Sequence, residues 1–557
     1  LGVAVAALAD RHAMLRLRAD GDRAWLPAEP ADLTLETVDL SGLAPEQADE
    51  ALQTRIHQVH ASLSPAKGPV VRAVVFDGGV RGARLLLAAH HLVVDGVSWR
   101  VLLEDLAAGY RSAVAGEPVD LGAGSTAFAE WARRLVEFTA AGGFDTELDH
   151  WTAVAADDAE AEVPVDADGA NTVSTQRTVS VALPPDVVEG LLRGAASVFR
   201  ARVDDVLLAA LGRVLCGWTG AGRVLVDVEG HGREELFDGV DVSRTVGWFT
   251  SVYPVALEDD ADPVVLLKRT KEALRAVPNR GVGFGALRYL GGERAREVLG
   301  RVPVPAVGFN YLGRFDTESD NGPVAGLTLN PGGEYAPDSP RPHVLDVVGR
   351  VVEDRLVFDW IYSEALHDRE TVVAVAERFV AEVVALVELC RSGGVGGATP
   401  SDFPLVALDQ ARVDRLVGDG RGVVDVLPLT PMQEGMLFHS LLEPDSAAYL
   451  EQVVVELSGV DDVERLAGAW RRVIRATPVL RTTVVWEGLD SPVQVVHRST
   501  EPEVRVHDLS DHDADSRRAR LEQYLAADRA EGMDTWSRPP VRVGLVRLAG
   551  GRVVVVW

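Results

Sequence analysis

Residues 90–99 read His-His-Leu-Val-Val-Asp-Gly-Val-Ser-Trp, and residues 229–234 read Glu-Gly-His-Gly-Arg-Glu. An imidazole exchanges protons near neutral pH, and a carboxylate does so once its surroundings raise its pKa. The chemistry these stretches offer is therefore general acid/base catalysis. His90 and His91 are consecutive, so on a strand they face opposite sides and one of them reaches a given cavity. Glu229 has two readings from the residues alone. It is a loop carboxylate paired with Arg233, or a carboxylate emerging beside Gly230 and Gly232, where a ligand or another backbone can approach closely. A third stretch, Phe309-Asn310-Tyr311-Leu312-Gly313, reads as a strand running into a turn that Asn310 serves.

The elements that must hold these groups follow from periodicity. Residues 85–89 contain no polar side chain and are expected to form a strand buried on both faces. Asp95 and Gly96 then turn the chain. Apolar residues recur at Trp99, Leu103, Leu106, Tyr110 and Val114, the spacing of one helix face, with Ser98 as N-cap candidate. Residues 224–228 alternate as a strand, which puts Glu229 on the face of Leu225 and Asp227. A strand near Val179, a helix opened by Pro185, another from Asp204 and a long helix over 369–390 complete the surroundings. Residues 244–254 read as a Gly-hinged, aromatic strand edge.

Composition bounds the function. Acidic residues outnumber basic ones 84 to 55 in 557, and the net charge of -29 argues against nucleic acid or an anionic membrane as partner. No uncharged apolar run approaches membrane-spanning length. Two cysteines, Cys216 and Cys390, in helix-like apolar surroundings suit a reduced, cytoplasmic setting and supply no thiolate metal cluster, so no metal site is expected.

The chain also repeats itself. Residues 1–18 read as a helix running into a strand and contain Leu15-Arg16; residues 474–483 do the same with Leu480-Arg481. In register, Asp39-Leu40-Ser41 recurs as Asp508-Leu509-Ser510, and Val71-Arg72 after Pro69 recurs as Val541-Arg542 after Pro540. By this register a window of a longer polypeptide is expected, its second copy stopping before a second His-His. Domains are expected at 1–170, 171–391 and 425–557, with the Gly-rich stretch 392–424 as linker.

Residues 90–96 resemble the HHxxxDG motif of the condensation superfamily of nonribosomal peptide synthetases, and the Ser-Trp ending resembles its epimerization branch. The Glu-Gly-His-Gly-Arg-Glu stretch is similar to a motif of that same branch. Residues 244–254, 283–289 and 309–313 are similar to further family motifs, in the right order. Residues 425–441, DVLPLTPMQEGMLFHSL, resemble the opening of a condensation domain that follows an epimerization domain. The helix starting there would be capped by Thr430 with Gln433 three residues on.

This resemblance implies an α/β (α+β) fold: two chloramphenicol-acetyltransferase-like lobes in a V around a central tunnel, plus a third, truncated lobe of the same type. It implies that His91 and Glu229 are catalytic and invert the α-carbon (L to D) of an aminoacyl or peptidyl thioester. His90, Asp95, Asn310 and Tyr311 would support or line the channel. Arg16, Gly96 and Trp99 would be structural, with Arg16 the partner of Asp95. The domain would bind no cofactor of its own. A 4'-phosphopantetheine arm would arrive on an upstream peptidyl carrier protein, and a condensation module would follow in the same polypeptide. Two rivals stand beside this: a condensation-type acyl or peptidyl transferase using His91 to deprotonate an amine, and a non-catalytic module that docks carrier proteins.

Overall fold

A computed structural model describes residues 1–27, 33–154, 159–314, 333, 335–352, 355–392, 395–443, 449–533 and 538–557. Residues 157–168 are expected from their composition to form an acidic linker, and 157 and 158 lie outside the described residues. The chain divides into two compact units. One comprises Leu1–Glu189, Asp204–Asp262 and Ala273–Ala385; the other comprises Gly190–Val203, Pro263–Glu272 and Leu386–Trp557.

The first unit holds two sheets that matter for the site. In the smaller, strand Leu35–Asp39 runs parallel to Val71–Asp77, which pairs antiparallel with Ala83–Ala89. Alternation along Val71–Asp77 divides the core. Val71 and Ala73 join the helices Gly2–Arg11 and Gly96–Ala115 on one face, while Val74 and Phe76 meet the helix Pro45–Ala61 on the other. Ala83–Ala89 is an edge strand and not the doubly buried strand expected of its apolar run. Leu86 and Ala88 are buried, but Leu85 is 37% exposed.

The larger sheet has six strands in the order Gln176–Ala182, Arg355–Ser363, Leu345–Val352, Val307–Arg314, Arg223–Gly230, Ser251–Glu258. Val307–Arg314 runs parallel to both neighbours and the other pairings are antiparallel. Val224, Val226 and Val228 lie on the buried side; Asp227 and Glu229 share the opposite face. The helix Val203–Thr219 closes on the buried side, where Gly212 lets it approach Leu257. The helix Arg369–Arg391 sets Phe379 edge-on against Phe358 and Trp360. Cys216 and Cys390 sit buried and free in these two helices, their thiols pushed up to about 11 by burial.

In the second unit, residues 395–424 of the stretch expected to be a linker are folded. It carries the helix Gln410–Val417, and Ala398, Phe403, Val413 and Val417 share a core with Val423, Val426, Val493 and Val495. The buried Lys271 ammonium donates to Phe199 O at 2.9 Å and pairs with Asp402 at 2.6 Å. The Thr430 cap forms as expected, with Gln433 Oε1 accepting from Thr430 N. The repeat is visible in topology. Glu503–Asp508 runs parallel to Arg542–Leu548, which pairs antiparallel with Arg552–Val556, and the helix Ala514–Glu531 joins the first two strands. Asp39 and Asp508 each accept from the backbone N of the serine two residues on, at 2.8 Å.

Candidate active site

The Ala83–Ala89 strand ends before the histidines, so strand alternation does not place them. His90 caps a short turn, His91–Val93, and its Nδ1 accepts from Leu92 N at 3.2 Å. Burial, and then the neighbouring His91, hold the His90 imidazole below its usual range. His90 is therefore a neutral ring committed to local structure. His91 is exposed, and its ring lies 5.2 Å from Trp248. Among the described residues no hydrogen bond engages its ring nitrogens, which leaves them available to a substrate.

Asp95, not Ser98, caps the helix Gly96–Ala115, accepting from Ser98 N at 2.7 Å. Its partner is Arg233 and not the expected Arg16. Arg233 Nη2 donates to Oδ1 at 2.9 Å and Oδ2 at 3.1 Å, and Phe249 N donates to Oδ2 at 3.0 Å. Arg233 also holds Val242 O and Thr245 O and lies 4.1 Å over the Phe249 ring. Arg16 instead donates to Ala9 O at 3.1 Å. The Asp95–Arg233 pair thus clamps the 231–250 loop onto the histidine turn, a contact of residues 138 apart in sequence. Gly96 is exposed with nothing within 4 Å of where a Cβ would sit, so space does not demand it; Trp99 packs half-buried against the Gly2–Arg11 core.

With Arg233 engaged elsewhere, Glu229 is not its ion-pair partner. Glu229 lies at the end of the Arg223–Gly230 strand, and its Oε2 accepts from Asn310 Nδ2 at 2.5 Å. Asn310 lies within a strand, not at a turn. Tyr311 follows it onto the opposite face, against Gly349, and does not line the Glu229 cavity. That cavity, about 30 Å³, is lined by Asp227, Glu229, Val252, Asn310, His343 and Asp346 among others. Glu229 is exposed at the end of its strand and opens into this space, while the protein around it still displaces water from its carboxyl. Burial pushes its carboxyl up, the charge of His91 opposes that rise, Asp346 adds to it, and His343 and Asn310 oppose it. His91 and Glu229 are therefore in electrostatic reach of one another, one an imidazole with free ring nitrogens and the other a carboxyl drawn toward neutral pH.

Sequence reading did not single out Arg233 as a clamp, Trp248 as a neighbour of His91, or His343 and Asp346 as cavity residues. Asp227 was readable from its place two positions before Glu229. His343 follows no periodic segment and carried no local signal.

The family model described as "Condensation domain" matches residues 1–394 and 423–557. The chain belongs to the condensation-domain family. Among curated relatives, one of the linear gramicidin synthase proteins of Brevibacillus parabrevis is 39% identical over 568 residues, covering 100% of this chain and 11% of the relative. A second protein of the same synthase is 38% identical over 565 residues, again 100% and 11%. This condensation-family chain thus spans about a tenth of the length of these relatives. Among solved structures, the epimerization domain from the third module of tyrocidine synthetase B matches with TM-score 0.64 and 29% identity over 70% of this chain and 88% of that one. The condensation domain of the Monacolin K polyketide synthase matches with TM-score 0.54 and 17% identity over 69% and 88%, a likeness of fold. The mixed α/β architecture is that of nonribosomal peptide synthetase condensation and epimerization domains, of the chloramphenicol-acetyltransferase type. Among the described residues no helix is long and apolar enough to cross a membrane.

Proposed function

We propose that this condensation-family chain epimerizes the α-carbon, L to D, of an aminoacyl or peptidyl thioester, with residues 1–391 supplying the activity. The observation that carries this reading is Glu229: a carboxyl raised by burial, oriented by Asn310, open to a cavity and in electrostatic reach of His91. Amine deprotonation by His91 in a condensation reaction makes no use of such a carboxyl.

The α-proton leaves to one of the two groups, and the electron pair moves onto the thioester carbonyl as an enolate. The other group delivers a proton to the opposite face, which restores the carbonyl. His91 in its neutral form and Glu229 in its protonated form, or the reverse pair of states, suit this exchange. The Asn310 amide is spent on Glu229 Oε2, so it positions the carboxyl. His90, occupied with Leu92 N, keeps the turn in place, and the Asp95–Arg233 clamp holds that turn against the 231–250 loop. The thioester would arrive on the 4'-phosphopantetheine arm of an upstream carrier protein, and no cofactor of the chain's own is needed. Residues 425–557 would belong to a following condensation module.

The test loads a carrier with an L-aminoacyl thioester, adds the chain, and separates the released amino acid by chirality. A D fraction is expected, and its loss in Glu229→Gln, which keeps size and hydrogen bonding but not basicity. Peptide-bond formation without inversion would instead establish the transferase reading.

A further inference from the structure

Three neighbouring strands of the larger sheet stand in register at Asp227, Gly308 and Asp346. These positions share the face that carries Glu229 and Asn310 two residues further on. Glycine at the middle position leaves a gap, and His343, from the loop before Leu345–Val352, fills it. A Cβ on Gly308 would lie 2.5 Å from the His343 Nδ1 and 3.0 Å from Asp346 Oδ1. The imidazole bridges the flanking carboxylates, with Nδ1 2.7 Å from Asp346 Oδ1 and Nε2 3.1 Å from Asp227 Oδ2. Carboxylates only accept, so both ring nitrogens donate, and a ring that donates from both nitrogens is the imidazolium. Asp346 Oδ2 accepts from the buried Arg341 at 2.7 Å, and Arg341 is anchored in turn by Asn171 Oδ1 and Ile361 O. The row therefore holds two carboxylates, an imidazolium and a guanidinium, and the next carboxyl along the cavity wall is Glu229.

We propose that His343 is a positioning residue, locked over Gly308 as a fixed positive charge beside Glu229 that sets how readily Glu229 gives and takes a proton. This rests on Glu229 being a proton-transfer group of the proposed epimerization. The electrostatics agree with the geometry. His343 opposes the rise that burial and Asp346 impose on Glu229, as His91 does from the 90–93 turn. Burial alone would lower His343, but its two carboxylate hydrogen bonds outweigh that and hold it up at about 9. It thus stays cationic across the range in which Glu229 works.

Two variants test the proposal. His343→Gln removes the charge and keeps hydrogen-bonding capacity. Gly308→Ala changes no ionisable group but drives a methyl into the space of the ring. Each is checked for folding by thermal unfolding, then measured in two ways. The first is the pH dependence of inversion in both directions on a loaded carrier. The second is a carbon-13 titration of labelled glutamate carboxyls, with the Glu229 signal identified by its loss in Glu229→Gln. The expected result is that the Glu229 titration, and the limb of the rate profile it governs, move to higher pH in whichever variants fold, with KM little changed. An unmoved or downward-shifted Glu229 titration in a folded variant overturns the inference. Absence of inversion in the unaltered chain would overturn the proposed function, and the carboxyl titration would still decide the role of His343.

Discussion

Asp95 and Arg233 are nearly inaccessible, with side chains 3% and 6% exposed. Removing one partner of such a pair strands the other charge in a medium that cannot solvate it, which costs about 3 kcal/mol or more. Asp95→Ala is therefore expected to lower unfolding free energy in urea by that order and to abolish activity. Arg16→Ala should leave the Asp95 cap and its contacts in place; equal losses in the two variants would contradict the assignment of Arg233. His343 makes a pH prediction whose sign is fixed by its shift. Its folded-state value, about 9, lies above the roughly 6.5 of a free histidine. The stabilisation is thus fully present below about pH 6.5 and fades as pH rises through about 9, amounting to about 3 kcal/mol at most. Urea unfolding across that window should show this decline in the parent chain and a flatter profile in His343→Gln. Equal slopes would mean that the ring gains no proton affinity on folding.

At the scale of elements, the 231–250 loop is what joins the two motif stretches. It brings Arg233 to Asp95, Gly247 to Ser98 and Trp248 to His91. Gly232 sits at its start with φ +65°, and a Cβ there would fall 1.7 Å from Phe249 O. Gly232→Ala must move the backbone that carries these contacts, so a loss of about 2 kcal/mol or more is expected together with a fall in activity. Gly96 is the control. It lies in the first turn of a helix with open space around it, and Gly96→Ala should change stability by no more than about 1 kcal/mol. Denaturant midpoints of the two variants check both statements, and similar losses would refute the steric argument.

For the whole molecule, the excess of 84 acidic over 55 basic residues means self-repulsion in the folded chain. Raising NaCl from about 0.1 M to about 1 M shortens the screening length from about 10 Å to about 3 Å. The melting temperature should therefore rise with salt, and a fall would indicate that attractive surface pairs outweigh the repulsion. The repeated strand–helix–strand–strand topology at 35–89 and 503–556 is also a whole-chain property, since each copy builds its own core from the same alternation.

Local rules made a good part of this legible. Two-residue alternation put Asp227 and Glu229 on one face, the Thr430–Gln433 cap followed from spacing, and the repeat register anticipated matching topologies. The same alternation, applied through residues 309–311, would have separated Tyr311 from Asn310 had that stretch been read as strand throughout. Other features had no local signal. Whether Asp95 meets Arg16 or Arg233 depends on how the 231–250 loop crosses to the histidine turn. That His343 lies over Gly308 depends on the register of three strands from distant parts of the chain. The apolar run 85–89 looked fully buried because its composition is that of a buried strand, yet exposure is decided by sheet order, which left it at an edge. Side-chain type and spacing determine what a residue can do; sheet order, register and loop crossing determine which partner it does it with.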